Sequence, residues 1–300
     1  MLLLVIVGAS IIALVGGGCA AVMLFGRRFV GRLRAHATFS EDAAAPIPVF
    51  SYASPDDPHL RELREKYSLE QVAGSGTDTE RAIALMRWVH GLGKHASRPP
   101  CPERLDALYL IPLCREEKRR LNCWLFAAIL NDVYLALGYP SRMVHLKPFR
   151  EPPRESHFVT SIYLRDIQRW AWMDPDGRGF MVDEQGLPLG VQEVRQRLTD
   201  GRPLCINDDV DPAHAEWLPS WLPRRLLKYL YRWYLSKNCF RYRCSTRSEP
   251  DFESKASGRT YVEVVPDGYH PEWLAKAEVT PRGNTIAYTT NPRSFWAPPS

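Results

Sequence analysis

The longest unbroken apolar pattern lies at the start of the chain. Residues 1–26 carry no charged side chain. As a helix they would reach roughly 39 Å, more than the roughly 30 Å of a bilayer core. No Lys or Arg precedes the run, as one would in a cleaved signal peptide. Cys19 follows Gly16-Gly17-Gly18 rather than the aliphatic residue of a lipoprotein signal. An uncleaved, single-pass membrane anchor over 1–26 is therefore expected, the alternatives being a cleaved signal or a lipid-modified Cys19. Arg27, Arg28, Arg32 and Arg34 follow the run, which by the positive-inside rule places the main domain on the cytoplasmic side. Gly16 and Ala20, four apart, offer a small-residue face for helix pairing.

Residues 27–53 read as a basic juxtamembrane segment and linker, with Ala43-Ala44-Ala45-Pro46 in its middle. Ser54-Pro55 reads as N-cap and first helical position. A second helix is expected over Thr79–Leu92, with Ile83, Met86 and Val89 as its apolar stripe and Gly93 as its stop. Residues 94–118, with Pro99-Pro100 and Pro102, read as loop. From Cys123 to Leu137 nearly every position is apolar, and Asn131 and Asp132 are the interruptions. That pattern predicts a helix buried on almost all sides, capped by Asn122 and ended by Gly138 and Pro140.

Residues 156–164 and 169–174 read as two strands. A hairpin centred between Arg165 and Asp166 would face His157 with Asp174 on one side of the sheet. Asp174-Pro175-Asp176-Gly177 then closes the second strand in a turn. Further on, Leu222, Leu226, Tyr229, Leu230 and Trp233 recur at helical spacing, with Arg224, Lys228 and Arg232 on another face. Such a helix packs on the domain with its basic face in water, or lies at a membrane interface. Residues 258–266 and 284–290 alternate as strands, and the tail from Pro292 reads as irregular. No residue of this C-terminal part carries chemistry by its spacing.

Composition narrows the class. The 300 residues are 45% hydrophobic and 24% charged, an ordinary globular balance that excludes wholesale disorder. Residues 1–40 contribute +4 of the net charge of +5, so the body is nearly neutral and nucleic acid is excluded as the main partner. No cofactor-binding motif occurs, and none is expected. Zinc is not expected, because no second Cys/His pair sits at finger-like spacing. Asn207, Asp209 and Asp211 mimic a calcium loop, but Pro212 and Leu218 stand where its glycine and final glutamate belong. Cys239 and Cys244 are either a small disulfide loop or two thiols.

The candidate chemistry is a thiol. At the first helical position, Cys123 would meet free backbone N–H groups and the helix dipole, which favour a thiolate, and Arg119 and Arg120 add positive charge. His157 on one strand and Asp174 on the next would complete a nucleophile, base and orienting carboxylate. Two rivals exist. Cys114 adjoins Arg115-Glu116-Glu117 without a helix-start signature, and His145 lacks a downstream Asp at hairpin distance.

Asn122-Cys123-Trp124 with its apolar helix, Leu137-Gly138-Tyr139-Pro140-Ser141-Arg142-Met143-Val144, Ser156-His157-Phe158-Val159 and Trp172-Met173-Asp174-Pro175 together resemble the transglutaminase-like superfamily. The resemblance covers about residues 79–200. It implies an α+β, papain-like fold, with the Cys-bearing helix packed on an antiparallel sheet. It also implies Cys123 as nucleophile, His157 as base and Asp174 as its orienter. Leu121-Asn122 replaces the usual glycine near the Cys. Phe158 stands where a small residue is frequent, which would narrow the cleft beside His157. Members of the superfamily include protein cross-linkers, cysteine peptidases, amidases and inactive scaffolds. The expected organisation is an anchor (1–26), a linker (27–53), a transglutaminase-like domain (54–220) and a helix and strands extending it (221–300). The expected activity is on an amide or peptide bond of a protein or peptide substrate, through a thioester, by hydrolysis or acyl transfer. The alternative is a catalytically inactive interaction module on the same fold.

Overall fold

A six-stranded sheet carries the molecule, and the apolar helix after Asn122 lies against it. The computed structural model describes residues 26–40, 48–150, 155–212, 222–254, 257–269 and 283–299. The strands are Ser51–Tyr52 (β1), Ser141–Lys147 (β2), His157–Leu164 (β3), Arg169–Met173 (β4), Met181–Val182 (β5), Cys205–Ile206 (β6), Arg241–Ser245 (β7), Arg247–Ser248 (β8), Thr260–Val264 (β9) and Thr285–Thr289 (β10). Residues 26–35 form a helix (α1). The other helices are Pro58–Lys66 (α2), Leu69–Ala73 (α3), Asp78–His90 (α4), Ala107–Arg115 (α5), Cys123–Ala136 (α6), Val191–Asp200 (α7), Arg224–Asn238 (α8) and the short Pro292–Phe295 (α9). The fold is mixed α+β.

Strand order in the main sheet is β10-β9-β7-β2-β3-β4. Its β7-β2-β3-β4 part is antiparallel, whereas β9 and β10 pair parallel. One core fills the space between α6, the sheet and α2, α4 and α5. A second, on the opposite face, gathers Val144, Val159 and Trp172 from the sheet with Val194 and Leu198 of α7 and Tyr231 and Leu235 of α8. Leu33 of α1 belongs to this second core and is 1% exposed. Every residue of α6 from Leu125 to Ala136 is buried, which is why its sequence shows no polar face. The two interruptions have partners. Asn131 exchanges hydrogen bonds with Ser141 and Ser248, and Asp132 accepts from the Ala107 N–H.

Several expectations need correction. The helix expected at Ser54-Pro55 starts at Asp57-Pro58, where the Asp57 carboxylate accepts from the N–H groups of His59 and Leu60. Residues 94–118 are not all loop: α5 begins at Ala107, capped by the buried Asp106, and tolerates Pro112 inside it. The β3–β4 turn takes four residues, 165–168, because Leu164 pairs with Arg169. A two-residue turn would need left-handed backbone that Arg165-Asp166 does not favour; here Gln168 alone takes a positive φ of 50°. The tail from Pro292 is partly ordered. Its Phe295 is buried, and with Phe50, Trp170 and Trp296 it surrounds the buried Arg142 guanidinium.

Cys239 and Cys244 are buried free thiols, so they form no disulfide loop. Among the described residues no helix is long and apolar enough to cross a membrane. The apolar run read as an anchor, with its Gly16–Ala20 face, lies outside the described residues except for Gly26.

Candidate active site

Cys123 is the first residue of α6, and the Asn122 side chain caps the helix by accepting from the Leu125 N–H at 3.1 Å. The first-turn N–H groups at Cys123 and Trp124 have no intrahelical acceptor, so the thiol sits at the electropositive end of a helix that is buried from Leu125 onward. His157 opens β3 and Asp174 follows the last residue of β4. His157 Nε2 lies 2.7 Å from Asp174 Oδ2, and both side chains are buried. That contact leaves Nδ1 as the ring atom without a hydrogen-bond partner. The Cys123 Sγ, a His157 ring nitrogen and an Asp176 carboxylate oxygen all lie within 4.8 Å of one another.

The strand register explains how two aspartates arrive here. Pairs from Thr160↔Met173 to Leu164↔Arg169 are shifted by two positions from the expected hairpin. Continued beyond its last pair, this register would set Asp176 rather than Asp174 opposite His157. A shift of two keeps every side chain on its face of the sheet, so both carboxylates reach the imidazole's side.

Asp174 accepts four hydrogen bonds. His157 Nε2 and the Tyr231 hydroxyl, each at 2.7 Å, meet Oδ2; the N–H groups of Asp176 and Gly177, at 3.1 and 3.0 Å, meet Oδ1. Burial alone would raise the carboxyl's pKa, but the His157 charge and these donors hold it below the ordinary value. Burial alone would likewise lower the His157 pKa. The Asp174 charge and hydrogen bond, aided by Cys123, outweigh it and hold the imidazole well above its ordinary range.

Three neighbours escaped the sequence reading. Tyr231 of α8 approaches over Gly177 and Gly179, and a side chain at Gly179 would run into its ring. Tyr234, one turn on, sets its ring edge-on to His157 with centroids 5.2 Å apart. The C-terminal helix therefore carries residues at the site, although no spacing in its sequence marks them. The third neighbour is His95, whose Nδ1 lies 2.9 and 3.1 Å from the two Asp176 oxygens. A bridge between His95 and Leu121, with Ala96 N–H donating to the Leu121 carbonyl at 2.7 Å, holds this segment beside the start of α6. No local motif marks His95; only the second Asp of Asp174-Pro175-Asp176-Gly177 hinted at an extra carboxylate. His90 pins that loop by donating from Nδ1 to the Pro175 carbonyl at 3.0 Å.

A cleft of about 600 Å³ opens over the thiol, walled by His95, Trp124, Phe158, Tyr234 and Lys237. Phe158 lines the cleft and stacks on His145 with ring centroids 4.2 Å apart. The rivals lie elsewhere or are silenced. Cys114 sits near the end of α5, donates to the Leu110 carbonyl and is pushed up to about 11 by burial. His145 is held well below the ordinary histidine value by burial and by Arg243. Asp209 of the calcium-like stretch is clamped by Arg87 at 2.9 and 3.1 Å. The expectation of no metal rested on local spacing. The fold assembles Cys123, His157 and Asp176 from distant positions into a group that could hold an ion through Sγ, a ring nitrogen and a carboxylate oxygen.

The fold and the site define a cysteine-enzyme-like arrangement: a helix-terminal thiol, a strand imidazole and a buried carboxylate on one mixed α+β frame. No family model matches the chain, and no curated protein matches it. Among solved structures, a candidate cysteine protease from Cytophaga hutchinsonii is similar over 62% of this chain and 66% of that one, at 16% identity and a TM-score of 0.32. This chain thus spans just under two thirds of that protein's length.

Proposed function

We propose that the protein is a transglutaminase-like cysteine enzyme acting on amide or peptide bonds of a protein or peptide through a thioester. The observation that carries this reading is the pairing of His157 Nε2 with Asp174, which turns the unpartnered Nδ1 toward the Cys123 thiol. The thiol proton passes to Nδ1, and the thiolate attacks the substrate carbonyl carbon. The resulting oxyanion faces the first-turn N–H groups of α6. The imidazolium then returns its proton to the leaving amine, and the acyl group stays on sulfur as a thioester. Water or a second amine releases it, with His95, oriented by Asp176 and lining the cleft, as a further proton-handling group. Hydrolysis is the favoured outcome, because nothing marks an acceptor site for an amine. Residues 1–26 hold this domain at a membrane as a single-pass anchor, with the domain on the cytoplasmic side.

Alkylation by iodoacetamide, resolved by peptide mass spectrometry because Cys101 and Cys205 are also exposed, tests the site without a known substrate. Cys123 should react faster than a free thiol of pKa about 8.5 at pH 6–7, and His157→Ala should abolish the excess. Reaction at the free-thiol rate in both proteins would leave the inactive interaction module as the reading. An alkaline phosphatase fusion at the C-terminus should be inactive in a bacterial host; an active fusion would overturn the orientation.

A further inference from the structure

We propose that the groove between α1 and α8 binds the phosphate of an anionic lipid headgroup. This groove, about 460 Å³, is lined by Arg27, Arg34 and Arg232 together with Tyr229, Trp233 and Ser236. Among the described residues no carboxylate lines it. Among the described residues the Trp233 indole N–H is buried without a hydrogen-bond acceptor. Arg34 donates from Nε to the Thr199 carbonyl at 2.9 Å. Arg232 makes a long contact, 3.4 Å, to the Arg202 carbonyl. Guanidinium forks match phosphate oxygens bidentately, and three guanidinium groups without a facing carboxylate favour an anion.

The groove is built by close approach of the two helices. A Cβ at Gly26 would lie 3.2 Å from the Trp233 ring, so any larger residue there would push the indole aside. Phe29 meets the same indole edge-on at 6.1 Å. The choice of lipid over a soluble phosphate comes from position and composition. Gly26 directly follows the uncharged run 1–25, which sets the groove at headgroup level if that run spans the bilayer. Trp and Tyr with flanking Arg are the residues of that layer. The proposal rests on the anchor reading for this choice alone. Trp233 also walls the cleft over Cys123, so an occupied groove would hold one side of the candidate active site.

The test titrates the full chain in dodecylmaltoside with dihexanoylphosphatidylglycerol, dihexanoylphosphatidylcholine and inorganic phosphate, below micelle-forming lipid concentrations, by calorimetry. The glycerol lipid should bind at least tenfold tighter than either other probe, and the Arg27→Gln/Arg232→Gln double variant should lose that advantage. Arg27→Gln alone, at an exposed position, serves if the double variant does not fold. Equal affinity for the choline lipid, undiminished binding by the variants, or free phosphate binding as tightly as lipid would each overturn the proposal. Carbonate extraction of membranes reads the anchor separately. An extracted chain that still prefers the glycerol lipid overturns only the anchor, and a retained chain without that preference overturns only the groove.

Discussion

Replacing Asp174 by Asn separates an electrostatic role from a merely spatial one. The carboxylate serves donors on both oxygens: His157 and Tyr231 on Oδ2, two backbone N–H groups on Oδ1. An amide has one oxygen. Turned toward His157, it would set its NH2 against the N–H groups of Asp176 and Gly177, and each buried unpaired donor costs about 1–3 kcal/mol. The amide oxygen therefore stays with the backbone, and the NH2 faces Nε2. The imidazole must then accept at Nε2 and carry its proton on Nδ1, where it can no longer take the thiol proton. Orientation survives and the tautomer is wrong. Such an inversion costs roughly 10⁴-fold in turnover. Loss of the adjacent charge also changes the imidazole's protonation equilibrium by roughly ten- to thousandfold, about 1.4–4 kcal/mol. With burial left unopposed, the His157 pKa should fall below about 6.5. Nitrogen-15 NMR of the ring reads both effects without a substrate. A variant whose His157 still titrates above the ordinary value, or still carries its proton on Nε2, would refute the reasoning.

Tyr231→Phe removes a hydroxyl donor to a buried carboxylate, so it should cost about 1.5–3 kcal/mol of stability in urea unfolding; a loss under about 0.5 kcal/mol would place no weight on that contact. His95→Ala should slow release of a trapped thioester by roughly 10²-fold while iodoacetamide labelling of Cys123 stays nearly unchanged; equal loss in both would make His95 a structural residue. The raised His157 pKa and lowered Asp174 pKa set the pH dependence of the pair. Its stabilisation is complete between about 3.9 and 6.5, fades as pH rises through the folded His157 value, and fades as pH falls through the folded Asp174 value. The melting-temperature gap between wild type and Asp174→Asn should therefore narrow on both sides of that window, and a gap independent of pH would contradict the pairing.

What could be read in the chain, and what could not, follows from the range of each interaction. The start of α6 was legible because its signals are local: a capping Asn122, then apolar residues wherever the helix is buried. The grouping of His157 with a following aspartate was legible because alternation along a strand survives a register error of two. The register itself was not, since it depends on how Arg165 to Gln168 turn the chain. Helix α5 was hidden by Pro99, Pro100 and Pro102 upstream and by Pro112 within it, although its cap, Asp106, is an ordinary one. Tyr231 and His95 were invisible for another reason. Each is brought to the site by contacts far away in sequence, α8 against the second core and residue 95 against Leu121, and neither leaves a local spacing.

This long-range assembly bears on how variants should be interpreted. Tyr231 is at once a core residue, a donor to Asp174 and the ring that the glycines at 177 and 179 make room for. The Asp174-Pro175-Asp176-Gly177 loop is held from the other side by His90 and His95. A substitution at any of these positions shifts the carboxylate and the packing together, so lost turnover alone would not distinguish a chemical role from a scaffold role. Cys123→Ala is different. It removes one sulfur from a half-exposed helix start and leaves the Asn122 cap and the His157–Asp174 pair in place, so its stability cost should be only about 1 kcal/mol. If Cys123→Ala melts like the wild type and His157 still titrates above its ordinary value, the imidazole and carboxylate are organised by the fold, not by the thiol they are proposed to activate. A His157 pKa that collapses in Cys123→Ala would instead mean that the sulfur's charge, ranked after Asp174 among the causes, is what holds the ring protonated.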